Sequence, residues 1–203
     1  MSAPQTPPRS RALSAVAAGL ALAALGLGSW VNSAVPSVRD SVADPFVRTG
    51  AIGQSVALRT ARVEVLGVDG ASVVVTPSGA ASHSDSGVWV VVTVRIEGDR
   101  EPVSLSGVSI ESADGRVYAQ SRSDVPAACG EAQPHVPWVC PIAVEMPVEA
   151  IPGAHVVIPV NGSVRGDAVA EVDLGIDAAT AQSWRERSMP LEVPASAPEE
   201  APL

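Results

Sequence analysis

Residues 87–98 read GVWVVVTVRIEG, and no other stretch limits the fold as much. Val88, Val90, Val92, Val94 and Ile96 fall on one face of an extended chain. Trp89, Val91, Thr93 and Arg95 fall on the other. Side chains of a strand alternate with a period of two, and β-branched residues favour that conformation. Because the second face is also largely apolar, the spacing predicts a central strand rather than one open to water.

Shorter runs with the same period follow at hairpin spacing. They are Val56–Thr60, Ala61–Val68, Ser72–Thr76, Val103–Ile110, Arg116–Ala119, Val139–Met146, Ala154–Val160 and Ala168–Ile176. Asp114-Gly115 and Asn161-Gly162 are turn dipeptides, since both positions tolerate positive φ. Only Asp177–Trp184 reads as helix, with Asp177 as its N-cap. Seven to nine short strands with one helix predict an all-β sandwich or barrel. With one Phe and one Tyr in the chain, Trp89, Trp138 and Trp184 carry much of the packing.

The N-terminus is of another kind. No charged residue lies between Arg11 and Arg39, and residues 12–35 are long enough to cross a bilayer as one helix. Arg9 and Arg11 precede the run, and Trp30 lies near its far end, as the positive-inside rule and interfacial aromatics require. A cleaved secretory signal is the competing reading. Its cleavage sites are poor: a cut after Ala34 places Asn32 at the third position back, and a cut after Ser33 places Val31 there. Either reading delivers the remainder outside the cytoplasm. The expected organisation is a cytoplasmic tail (1–11), a transmembrane signal anchor (12–35), a stalk (36–50), a β-domain (51–185) and a disordered tail (186–203) with four prolines and four glutamates. The net charge is −9, and without Arg9 and Arg11 the rest carries −11. An acidic domain repels phosphates, which argues against a nucleic-acid partner.

The segment GVWVVVTVRIEGDREPVSLSGVSIESADGRVY, residues 87–118, resembles a family of bacterial extracytoplasmic immunoglobulin-like domains of unknown function. It is similar to domains of Gram-positive lipoproteins and to mycobacterial immunoprotective extracellular antigens. The shared features are an apolar strand, a polar turn, a second strand, and an Asp-Gly hairpin ending in an aromatic. The likeness extends more weakly over residues 51–176, and the lipidated cysteine of the lipoprotein members is missing. The resemblance implies an immunoglobulin-like sandwich outside the membrane and carries no chemistry with it.

Few residues suggest chemistry on their own. Cys129 and Cys140 are expected to form a disulfide in an oxidising compartment. His135 lies between them as Cys-x5-His-x4-Cys. A metal site there would need a fourth ligand, nominally Glu131, and usually tighter cysteine spacing, so a solvent-exposed histidine is the plainer reading. His83, Asp85 and Ser86 are crowded on one polar segment, where a nucleophile, base and acid rarely converge. Glu171 and Asp173, with Asp167, alternate with apolar residues as the wet face of a strand does. The segment from Ser121 to Trp138 is long, proline-rich and stapled, and ordered long loops on sandwiches are often functional. Trp138, His135 and Glu131 are the candidate partner contacts, with packing over the disulfide as the alternative role of Trp138. The sequence therefore leads to a membrane-anchored extracytoplasmic binding or structural module of the cell envelope. It would have no catalytic activity and no cofactor, and another envelope protein as partner. The alternative is a secreted or tethered carrier of a small ligand or lipid, which would need a sizeable apolar pocket.

Overall fold

A computed structural model describes residues 19–21, 23–30, 45–85, 87–119, 129–160 and 168–199. Two units divide the chain, Met1–Ala43 and Asp44–Leu203. In the first, residues 19–21 and 23–30 are helical and exposed. Among the described residues no helix is long and apolar enough to cross a membrane. Residues 12–18, 22 and 31–35 of the expected span lie outside the described residues.

Among the described residues, the second unit is all-β apart from one helix and one 3-10 turn. Its strands are β1 (Phe46–Ala51), β2 (Ser55–Ala57), β3 (Ala61–Ala71), β4 (Val73–Val75), β5 (Ala81–His83), β6 (Val88–Gly98) and β7 (Ser109–Glu111). After them come β8 (Val117–Ala119), β9 (Trp138–Met146), β10 (His155–Pro159), β11 (Ala168–Asp173), helix α1 (Ala178–Glu186), β12 (Leu191–Glu192) and β13 (Ala197–Pro198). The first sheet has the order β1-β11-β10-β7-β8 and the second β13-β9-β6-β3-β2. A small third sheet has the order β12-β4-β5.

The two five-stranded sheets face one another. Ile110, Val156, Ile158, Ala170 and Val172 from the first share one buried cluster with Val63, Val65, Val90, Val92, Val94, Ile142 and Val144 from the second. That is a β-sandwich. Burying one such valine or isoleucine contributes about 1.5–3 kcal/mol. The strand read first in the sequence, β6, lies at the centre of its sheet. It pairs antiparallel with β3 from Ala71↔Trp89 to Ala61↔Gly98, and with β9 from Val88↔Met146 to Ile96↔Trp138. Its other face is covered as well: Trp89, Val91 and Ala143 form a second small core with Val74 and Val193.

Several expectations are corrected. The stalk ends earlier than expected, because β1 pairs in parallel with β11 from Phe46↔Ala168 to Ala51↔Asp173. Five of its six residues are exposed, so backbone pairing holds it and its sequence carries no alternation to read. The tail is not unstructured through residue 199: β12 pairs with β4, β13 pairs with β9, and Val193 is 3% exposed. The strand expected over Val103–Ile110 contracts to Ser109–Glu111, with isolated bridges Val103↔Ala132 and Leu105↔Val160 before it. Gly107, at φ 75°, interrupts the extended path there. The polar segment before β6, which shows no strand pattern in the sequence, contains β5, turned back by Gly79 at φ 83°, whose N–H donates to the Thr76 carbonyl at 2.8 Å.

The helix forms where expected and runs two residues further. Asp177 caps it, accepting from the Thr180 N–H at 2.7 Å, and these hydrogen bonds hold its carboxyl below the usual aspartate value. Trp184 turns inward, and its ring lies directly over Gly70 on β3, where a Cβ would overlap Cε3 and Cδ2. Gly70→Ala is therefore expected to cost about 1–3 kcal/mol through overpacking. Thermal denaturation should show a fall of several degrees. Gly67→Ala is the control, because a Cβ there meets nothing within 4 Å. Equal melting of the two variants would contradict the Trp184 contact.

Candidate functional site: the stapled loop and its charged neighbours

Strand pairing fixes what meets at each end of the sandwich. Ala61 lies opposite Gly98, Trp138 opposite Ile96, and Phe46 opposite Ala168. Leu105 bridges Val160, Val103 bridges Ala132, and Gly98 bridges Pro134. Residues 58–60, 98–108 and 129–137 and the start of β1 therefore share one end, here named the near end. The described part of the stapled loop sits there.

Cys129 and Cys140 form a disulfide with Cα atoms 5.3 Å apart and a separation of 11 residues. Closing a loop of that size stabilises the fold by about 3 kcal/mol in the chain-entropy model. Ala132 is fully buried and exchanges two backbone hydrogen bonds with Val103, at 2.8 and 3.0 Å. The His135 N–H donates to the Gly98 carbonyl at 3.1 Å, and the Val136 N–H to the Gln133 carbonyl at 3.1 Å, closing a turn. His135 has φ 61°, a conformation a non-glycine residue adopts only when its surroundings impose it. Its imidazole is 78% exposed, with Nδ1 3.9 Å from Glu97 Oε1. Val136 and Glu131 are exposed beside it.

Trp138 is half-buried at the start of β9 and packs against the main core. Its ring lies against Gly130, where a Cβ would overlap it, next to the disulfide. Its Nε1–H is enclosed, with no acceptor among the described residues. Of the three candidate contacts, His135 and Glu131 are presented to solvent, and Trp138 supports the loop from below. Residues 121–128 of the expected loop lie outside the described residues.

Beside the loop, the outer face of the second sheet carries charges of alternating sign. Arg62 lies 3.9 Å from Glu97 and 3.8 Å from Asp99, and Arg95 lies 3.5 Å from Glu64. Arg95 Nε is also 2.8 Å from Glu199 Oε2, an ionic contact rather than an aligned hydrogen bond. Ser55, Arg62, Glu64, Arg95 and Glu97 line a shallow cavity of about 190 Å³. Exposed pairs of this kind stabilise by about 0–1 kcal/mol each, and their mixed signs present no single-sign patch.

Among the described residues, the other sequence candidates do not converge. His83 ends β5 and is exposed. Its buried neighbour Ser84 donates to Glu145 Oε1 at 2.6 Å and accepts from the Gly87 N–H at 2.9 Å. Ser86 and Asp167 lie outside the described residues. Asp173 Oδ1 accepts from the Gly175 N–H at 2.8 Å. Glu171 joins a cluster that sequence reading missed: His155 Nε2 is 3.5 Å from Glu171 Oε1 and 3.7 Å from Glu111 Oε2 across three strands. No group of three potential ligands among the described residues could hold a metal ion. Arg95–Glu199 was also missed, because it needs the register of β13. The only clue in the sequence was the alternation of Leu191 and Val193 between prolines.

No family model matches the chain, and no curated protein matches it. Among solved structures, it is similar to an uncharacterised β-sandwich protein from Clostridium difficile 630, with 11% identity and a TM-score of 0.43. The likeness covers 63% of this chain and 95% of that one. The sandwich assignment here rests on the chain's own two sheets.

Trp138→Ala should lose a sizeable part of the roughly 3–5 kcal/mol typical of a buried Trp→Ala change. Thermal melting checks this, and an unchanged melting temperature would mean that the ring does not support the loop.

Proposed function

We propose that this chain is a membrane-anchored, extracytoplasmic immunoglobulin-like module. Its stapled loop meets another protein of the cell envelope, in a binding or structural role without catalysis. The observation that carries the reading is the loop itself. A disulfide, a backbone ladder to Val103 and a tryptophan underneath fix a segment whose outermost residues, Glu131, His135 and Val136, face solvent. A loop held this firmly loses little entropy on binding, and the positive φ of His135 places the strained residue at its tip.

The immunoglobulin-like assignment is supported by strand order. One sheet runs β3-β6-β9 and the other β8-β7-β10-β11, and within these seven strands the chain crosses between sheets after β6, β8 and β9. This corresponds to A-B-E against C′-C-F-G. The disulfide differs from the inter-sheet bridge of antibody domains, since it ties β9 to the loop that precedes it. The anchor is supported by the charge-free run over residues 12–35 and the arginines before it. The disulfide favours an oxidising compartment for the domain. The carrier alternative has less support, because the space between the sheets is filled by valine, isoleucine and methionine side chains.

Protease added to intact cells or spheroplasts should remove the domain. Full protection would sink the extracytoplasmic placement. A variant combining Glu131→Ala, His135→Asn and Val136→Ala should melt within a few degrees of the parent, since asparagine tolerates the positive φ at position 135 and the other two are surface changes. It should also lose the partner recovered by crosslinking from membranes. Undiminished recovery would remove the loop as the contact surface.

A further inference from the structure

The end of the chain holds an unusual place. In the second sheet the position beside β9 is filled by β13, from the extreme C-terminal part of the described chain. The segment starts at α1, pairs as β12 with β4, inserts Val193 between Trp89, Val91 and Ala143, and then reaches the β9 edge. Its backbone attachments are sparse. The Val193 N–H donates to the Val75 carbonyl at 2.8 Å, and the Glu199 N–H to the Pro137 carbonyl at 2.8 Å. Pro190, Pro194 and Pro198 recur every four residues and remove donors, so each ladder is two residues long. Specificity comes from side chains instead: buried Val193 and the Arg95–Glu199 contact.

A short ladder opens more readily than the long ladders of β3, β6 and β9. Opening would uncover the β9 backbone edge and the Trp89 face together. Arg187 stays fixed through Asp69, at 2.9 Å, so the natural hinge is Ser188–Pro190, where Met189 is exposed. The exposed edge and face already match one segment in register, charge and shape, and a second copy of the chain carries that segment. We propose that residues 188–199 exchange between two copies, so that each C-terminal segment completes the second sheet of the other. The exchange does not depend on a membrane anchor or on the stapled loop as contact surface. Confinement to a membrane would raise the effective concentration and favour it.

A charge reversal tests this with full-length chains tagged at the N-terminus. Arg95→Glu in one copy, or Glu199→Arg in another, places like charges together within each molecule. When the two are mixed, exchange gives one junction the native pair and the other its reversed form. The mixture should form a heterodimer at least about tenfold tighter than the self-association of either variant. It would be read by light scattering and by co-purification through one tag. The doubly substituted single chain restores the 95–199 pair internally and should self-associate as the parent does, while melting lower because its residue 95 carboxylate faces Glu64. A mixture no tighter than its components would overturn the proposal. So would a dimer that forms equally well whichever charges are present, since it would use another surface. A second arm deletes Ser188 and Met189 from the parent chain. The shortened hinge cannot close on its own molecule and should drive dimerisation, and a chain that stayed monomeric would also overturn exchange.

Discussion

β6 is apolar along one face and over the Trp89–Val91 part of the other, and it pairs along nearly its whole length on both sides, so four separate covers must be found for one strand. β3 and β9 supply the lateral two. The first sheet covers the face formed by Val88, Val90, Val92, Val94 and Ile96. The fourth cover, over Trp89 and Val91, comes from β4 and from the segment that carries Val193. A large aromatic left open there would be a costly exposed patch on a sheet face. The small third sheet and the C-terminal strap exist in this fold to close it.

The same constraint organises the near end. With the sheet interiors filled by side chains, the solvent-facing groups at this end sit on the connections. The longest of them is tied down at several points. The disulfide joins it to β9, Ala132 ties it to Val103, and Trp138 fills the space beneath it against Gly130. Glu199 reaches the same region through Arg95 and the Pro137 carbonyl. The C-terminal strap therefore borders the stapled loop, and a change in one would be felt by the backbone of the other.

The central strand, most of the hairpins, the helix with its Asp177 cap and the cysteine pair were legible in the sequence, because each leaves a local mark. β6 alternates over eleven residues, Asp177 is followed by a helical stretch, and Asp114-Gly115 sits at a turn. What could not be read was pairing that leaves little or no apolar pattern. β1 is exposed at five of six positions and is held mainly by backbone pairing with the β11 edge. β12 and β13 are two residues each in a proline-rich segment, a composition that ordinarily signals disorder. For the site, sequence spacing brought Glu131, His135 and Trp138 into one loop. It pointed to an exposed His135 and left Trp138 open between surface contact and packing. That division depends on Gly130 allowing the indole to lie flat, a contact visible only in three dimensions.

Residue-resolved amide hydrogen exchange tests most directly the claim that a doubly covered strand is closed by an openable strap. The amides of Val90, Val92 and Val94 should exchange only through global unfolding. Those of Val193 and Glu199 should be protected, yet exchange through a smaller opening at much lower free energy. If the strap amides proved as protected as those of β6, the strap would be a fixed part of the cooperative core. If the β6 amides exchanged as fast as the strap, β6 would not be the strand on which the fold depends. Either result would contradict the account.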